Sequence, residues 1–94
     1  MRFEWDPDKN LSNQDKHSIS FEEACRVFLD PLHRSVQDRF VDGEQRWQTI
    51  GTVEGLALVL VAHTVRDDND TEVIRIISAR VATSKERRHY EKKS

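Results

Sequence analysis

The 94-residue sequence holds one cysteine, three glycines and two prolines. With Cys25 alone, no internal disulfide can form, and no zinc site built on Cys-x-x-Cys is available. Gly43, Gly51 and Gly55 stand apart, so no glycine-rich loop cradles phosphates. The longest apolar stretch, Leu56 to Ala62, has the length of a strand and not of a membrane helix. Met1-Arg2-Phe3-Glu4-Trp5-Asp6 lacks the apolar core of a signal peptide. The cytoplasm is therefore the expected compartment. The histidines are His17, His33, His63 and His89, and none sits at metal-ligand spacing from another histidine or from Cys25. Neither a metal nor a cofactor is expected.

What the chain does have is charge, at 34% of residues, beside 36% apolar residues. The apolar ones cluster at Phe21–Leu29, Leu56–Val65 and Val73–Val81, which permits one modest core and one domain over residues 1–94. The net charge of −2 is unevenly spread: −3 over residues 1–30, −4 over 31–74 and +5 over 75–94. A basic end can attract a polyanion although the whole chain is mildly acidic; a solvated basic helix explains the same run without a ligand.

Residues 2–5 read as a short strand. Asp6-Pro7 then starts a helix to about His17, with Asp6 as N-cap. Ser20-Phe21-Glu22-Glu23 is a capping box, and Phe21, Ala24, Cys25 and Phe28 follow on one helical face. Asp30-Pro31 ends that helix. Residues 33–40 give a weak strand signal, and Val41-Asp42-Gly43-Glu44 a turn. Strands follow at 46–53, 56–66 and 72–81, the middle one apolar on both faces. Thr83-Ser84-Lys85-Glu86 is a second capping box, opening a helix to about Lys92. The fold class is α+β: N-terminal helices on a mostly antiparallel sheet of about four strands, with a C-terminal helix.

With metals set aside, arginines and histidines near strands are the candidate chemistry. A hairpin paired symmetrically about Asn69 puts His63 opposite Arg75 and Arg66 opposite Glu72. A one-residue shift would send His63 and Arg75 to opposite faces. Arg80 has the opposite parity to Arg75 and joins its face only through a bulge. Metal-free RNA cleavage needs a base for the 2′-hydroxyl, cations for the phosphorane and an acid for the leaving 5′-oxygen. His63, Arg46, Arg75 and Arg80 can supply these parts. Plainer roles stay open: His63 as a packed histidine, Arg66 in an ion pair with Glu72, and Arg75 satisfied by an internal carboxylate such as Glu44. Lys16 and His17 suit a helix C-terminus by charge alone. Trp5 and Trp47 suit packing as well as base stacking, and Cys25 suits the core.

In order along the chain, several motifs form one pattern. They are Phe3-Glu4-Trp5-Asp6-Pro7 with Lys9, Asn13, Lys16-His17, Ser20-Phe21-Glu22-Glu23-Ala24, Val27-Phe28, Gly43-Glu44-Gln45-Arg46, Ile50-Gly51, Val61-Ala62-His63-Thr64 with Arg66, Ile74-Arg75-Ile76-Ile77-Ser78-Ala79-Arg80, Ala82-Thr83, Glu86-Arg87 and Tyr90-Glu91. This pattern resembles the BrnT toxins of bacterial type II toxin–antitoxin systems. The resemblance implies a RelE-like fold and metal-independent endoribonuclease activity that inhibits translation. It implies a BrnA-type ribbon-helix-helix antitoxin, a heterotetramer with it, and contact with operator DNA only through that antitoxin. It also implies a site drawn from Lys16, His17, Arg46, His63, Arg66, Arg75 and Arg80, with Lys16, His17 and Arg66 on the RNA. Ser18 stands where the family usually has glycine. The competing reading is a catalytically decayed toxin that still binds antitoxin as a corepressor.

Overall fold

A computed structural model describes residues 1–93, with side chains through residue 92. The elements are β1 (Arg2–Glu4), α1 (Pro7–His17), α2 (Phe21–Ala24), a 3-10 turn (Cys25–Leu29), β2 (Arg34–Val41), β3 (Glu44–Thr52), β4 (Leu58–Asp68), β5 (Thr71–Val81) and α3 (Ser84–Lys93). The strands form one sheet in the order β1-β5-β4-β3-β2. β1 is parallel to β5, and the other pairs are antiparallel. The α+β expectation holds, with five strands rather than about four, because the short segment at 2–5 and the weak one at 33–40 both became sheet edges.

The helix starts lie where the sequence puts them. Asp6 accepts from the Asp8 amide, and the Ser20–Glu23 capping box is complete. Thr83 and Glu86 close the second box, each side chain accepting from the other's backbone N–H. The helix expected through Phe28 instead tightens to 3-10 geometry after Ala24. In that turn Val27 lies on Gly51, where an added Cβ would meet the Val27 carbonyl at 2.9 Å. At the end of α1, Ser18 adopts a left-handed φ of 58°. Glycine takes that conformation at least cost, which is the physical reason for a glycine there.

The sheet separates two layers. One face carries Val59, Val61, Ile74, Ile76 and Ala79 under Ile19, α2 and the 3-10 turn, and holds the main core with Phe21 and Val27. The other face is mostly open. There Leu58, Ile50, Ala82 and Tyr90 form a smaller cluster under α3.

Two local features set which residues share a face. Asn69 and Asp70 both take left-handed φ, 50° and 66°, so the β4–β5 turn has two central residues. Pairing therefore begins at Asp68↔Thr71 and gives Thr64↔Arg75, Arg66↔Val73 and His63↔Ile76. The expected His63–Arg75 and Arg66–Glu72 pairs are corrected by this one-residue shift. His63 and Arg75 lie on opposite faces. The register then slips at Ile77, between Ala62↔Ser78 and His63↔Ile76. This bulge reverses parity and brings Arg80 onto the face of Arg75.

Asn13 joins α1 to the sheet beyond the end of β1. Its amide donates to the Ala79 and Ile19 carbonyls at 2.8 and 2.9 Å and accepts from the Ala79 N–H at 3.1 Å. One buried side chain thus satisfies backbone groups that a longer β1 would pair. Asn13→Ala is expected to destabilise the protein by about 2–4 kcal/mol, since buried backbone groups lose their partners. Urea unfolding measures it, and a loss below about 0.5 kcal/mol would contradict the role.

Candidate functional site

The open face gathers the arginines. Arg75 and Arg80 project there from β5, and Arg66 from β4. Arg46 precedes Trp47, which pairs with His63, so alternation puts Arg46 on the open face too. Glu4 of β1 lies beside Arg75 in the ladder. Its carboxylate forms a two-pronged ion pair with Arg66 and stands 3.6 Å from Arg75 Nη1. Arg66, with Arg75 behind it, holds the Glu4 carboxyl below the usual carboxylate range. Arg80 is clamped by Glu86 of α3 at 2.8 and 2.9 Å. That pairing, helped by the Thr83 N–H, pulls Glu86 down to about 2. Among the described residues, the buried Arg46 Nε and Arg34 Nε find no hydrogen-bond partner.

Next to the Arg80–Glu86 pair a groove of about 1040 Å³ runs between α3 and the sheet. Val36, Ile50, Leu60 and Tyr90 form its floor; Arg34, Lys85, Arg88 and Lys92 bring positive charge to it against Glu86 and Glu91, and His89 lines it too. Tyr90 is tied down through its hydroxyl, which donates to Asp30 Oδ2 at 2.7 Å. The same carboxylate accepts from the Thr52 and Leu32 amides at 2.7 and 2.8 Å. α3 is thus fastened at one end by Arg80–Glu86 and further along by Tyr90–Asp30.

His63 is elsewhere. It is 2% exposed on the helix-covered face, with the Phe28 ring edge-on at 5.2 Å. Its Nε2 lies 2.6 Å from Thr49 Oγ1, and Thr49 Oγ1 lies 2.7 Å from Ser35 Oγ. Burial drives its pKa down to about 4, opposed in part by the Thr64 backbone. At neutral pH this ring is uncharged and out of reach of solvent. Lys16 and His17 are exposed in the last turn of α1. The expected site residues therefore separate: Arg46, Arg66, Arg75 and Arg80 lie on the open face, His63 on the covered one, and Lys16 and His17 at the end of α1. Cys25 is half-buried against the core, and burial, with Glu22 nearby, raises its thiol to about 11. It is a packing residue.

The family described as "Ribonuclease toxin, BrnT, of type II toxin-antitoxin system" matches residues 5–86. This chain belongs to that family. The crystal structure of the Brucella abortus ribonuclease toxin BrnT is similar in fold, with a TM-score of 0.63 and 24% identity. The match covers 89% of this chain and 99% of that one. No curated protein matches the chain. This BrnT-family chain accordingly has the fold that the ordered motifs imply.

Sequence reasoning missed the carboxylates that hold the arginines, and Arg34; the groove's Lys85, Arg88 and Lys92 belong to the basic end it had marked. Arg34 lay in a segment with no motif, although its place in an arginine-flanked β2 was a usable signal. Glu4 sits 62 residues from Arg66, and only the parallel pairing of β1 with β5 brings them together.

Two pH windows follow for this BrnT-family protein. His63 is held at about 4 against an ordinary 6.5, so the unfolded chain binds its proton first. That contribution is full above pH 6.5 and is lost as pH falls through 4. His63→Gln is expected to flatten the stability profile between those values in urea titrations; an unchanged slope would contradict the burial argument. Glu86, held at about 2 against 4.5, contributes above pH 4.5 and is lost toward pH 2. The stability gap between wild type and Glu86→Gln is expected to close over that lower window. A gap that stays constant down to pH 2 would show that the Arg80 clamp is not its source.

Proposed function

We propose that the chain acts in the cytoplasm as a metal-independent endoribonuclease toxin, one domain that arrests translation and growth. A BrnA-type ribbon-helix-helix antitoxin would neutralise it in a heterotetramer and alone contact operator DNA. One observation carries the reading: the Ile77 bulge collects Arg75 and Arg80 on the open face with Arg46 and Arg66, beside a cationic groove.

Cations assembled on an open, rigid sheet suit an RNA backbone. The arginine forks would hold the scissile phosphate and stabilise the charge that grows on it as the 2′-oxygen attacks. Glu4 and Glu86 fix the forks in position, so little ordering is left for the reaction. Proton transfer needs a group that reaches substrate. Of the four histidines, His89 lines the groove next to Arg88 and Tyr90, whereas His63 is sealed in the core. We therefore assign proton transfer to His89 in place of His63. Lys16 and His17, exposed at the end of α1, would contact the RNA backbone.

The second reading is the decayed, antitoxin-binding corepressor. It draws on one observation: Arg66, Arg75 and Arg80 are already partnered by carboxylates. Incubating the purified chain with messenger RNA and a chelator separates the two. Cleavage is expected with the chelator present, falling on the order of 10²-fold in Arg75→Ala, Arg80→Ala and His89→Ala. Intact RNA with folded wild type would overturn the ribonuclease reading in favour of the second.

A further inference from the structure

The sheet ends on β2, and among the described residues no strand pairs with its outer edge. Every residue from Ser35 to Phe40 is exposed. Val36 stands out, an aliphatic side chain 57% exposed on the floor of the groove. Its flanks carry opposite charges. Arg34 pairs with Ile50 and Val36 with Gln48, so both face the open side. Asp38 faces the same way, because its carboxylate accepts from the Gln48 amide at 3.3 Å. Neither Arg34 nor Asp38 has an ion-pair partner among the described residues. An edge strand with free N–H and C=O groups is a template for another strand. Arginine, valine and aspartate at alternate positions decide which strand it fits.

Two identical edges that pair about a two-fold axis run antiparallel, with the same patch on both sides. Residues directly opposite each other share a face, so each is matched to one of its own parity. Few registers remain. An axis at Arg34 or at Asp38 sets like charges against each other, which is destabilising. An axis at Ser35 sets Arg34 against the partner's Val36, and one at Gln37 sets Asp38 against it. An axis at Val36 matches every position. Val36 then lies on the partner's Val36, and Arg34 lies opposite the partner's Asp38 on both sides of the axis. The bulge closes the matched stretch at Asp38, since the register to β3 slips between Gln37 and Phe40.

We propose that the outer edge of β2 pairs with the same edge of a second copy of this chain, in the register centred on Val36. The two five-stranded sheets then run together as one. The axis stands perpendicular to that sheet, so both open faces lie on one side and the two grooves flank the axis. Arg34 to Asp38 of each copy make a small interface beside the roughly 1,200–2,000 Å² of standard stable complexes. The dimer is therefore reversible, with a dissociation constant on the order of 10 μM.

The test is analytical ultracentrifugation of the full chain from about 1 to 500 μM, where a monomer–dimer equilibrium is expected. Val36→Lys is expected to weaken the dimer at least about tenfold, and so is Asp38→Arg, which sets two arginines against each other on both sides of the axis. Combining Arg34→Asp with Asp38→Arg restores opposite charges across the edge and is expected to recover the dimer. Circular dichroism checks that each variant is folded. Cross-linking gives a second readout. Val36→Cys brings two cysteines together on the axis and is expected to form a covalent dimer on oxidation, whereas Arg39→Cys, in the bulge, is not. Cys25 is common to both variants and cancels in the comparison. A chain that stays monomeric at every concentration would overturn the proposal and leave the edge to a strand of another protein. A dimer indifferent to Val36→Lys would overturn it too, by placing the interface elsewhere. So would a folded charge-swapped variant that stays monomeric, by excluding the register.

Discussion

The register of the β4–β5 hairpin governs where charge lies in this protein. These two strands form the centre of the sheet with β3, and their side chains alternate between a sealed face and an open one. A slip of one residue would exchange every arginine for an aliphatic neighbour. Two features hold the register. The Asn69-Asp70 turn sets its start with two left-handed residues, which asparagine and aspartate tolerate better than most. The Ile77 bulge resets it midway. Without the turn, Arg75 would face the core; without the bulge, Arg80 would.

Around that hairpin the rest of the fold is concerned with covering one face and leaving the other accessible. α2 and the 3-10 turn seal the first, and Asn13 ties α1 to β5 where β1 has ended. On the second face, α3 covers only part of the sheet. It is fastened by Arg80–Glu86 and by Tyr90 on Asp30, and the uncovered remainder is the groove. The arginines are not loose. An arginine fork gripped by a carboxylate loses flexibility and keeps outward donors. Position and charge are therefore supplied together, as the ribonuclease reading requires.

Much of this was legible in the chain itself. Asp6, Ser20 and Thr83 mark helix starts by local hydrogen bonding, and Asp42-Gly43 marks a turn by local φ preference. Such signals act over three or four residues, so they survive without tertiary context, and the ordered family motifs pointed to the fold. The sheet face of each arginine was a different matter. It depended on a turn of two central residues rather than one, and on a bulge that no periodicity announces. His63 read as a candidate because a histidine in an apolar strand is conspicuous; only packing revealed it sealed against Phe28 and bonded to Thr49. Glu4 and Arg66 read as unrelated because long-range pairing leaves no trace in local sequence. The sequence by itself determined the elements and the family. The tertiary structure alone decided which charges meet, because side-chain direction in a sheet turns on register, and register is set by the whole hairpin.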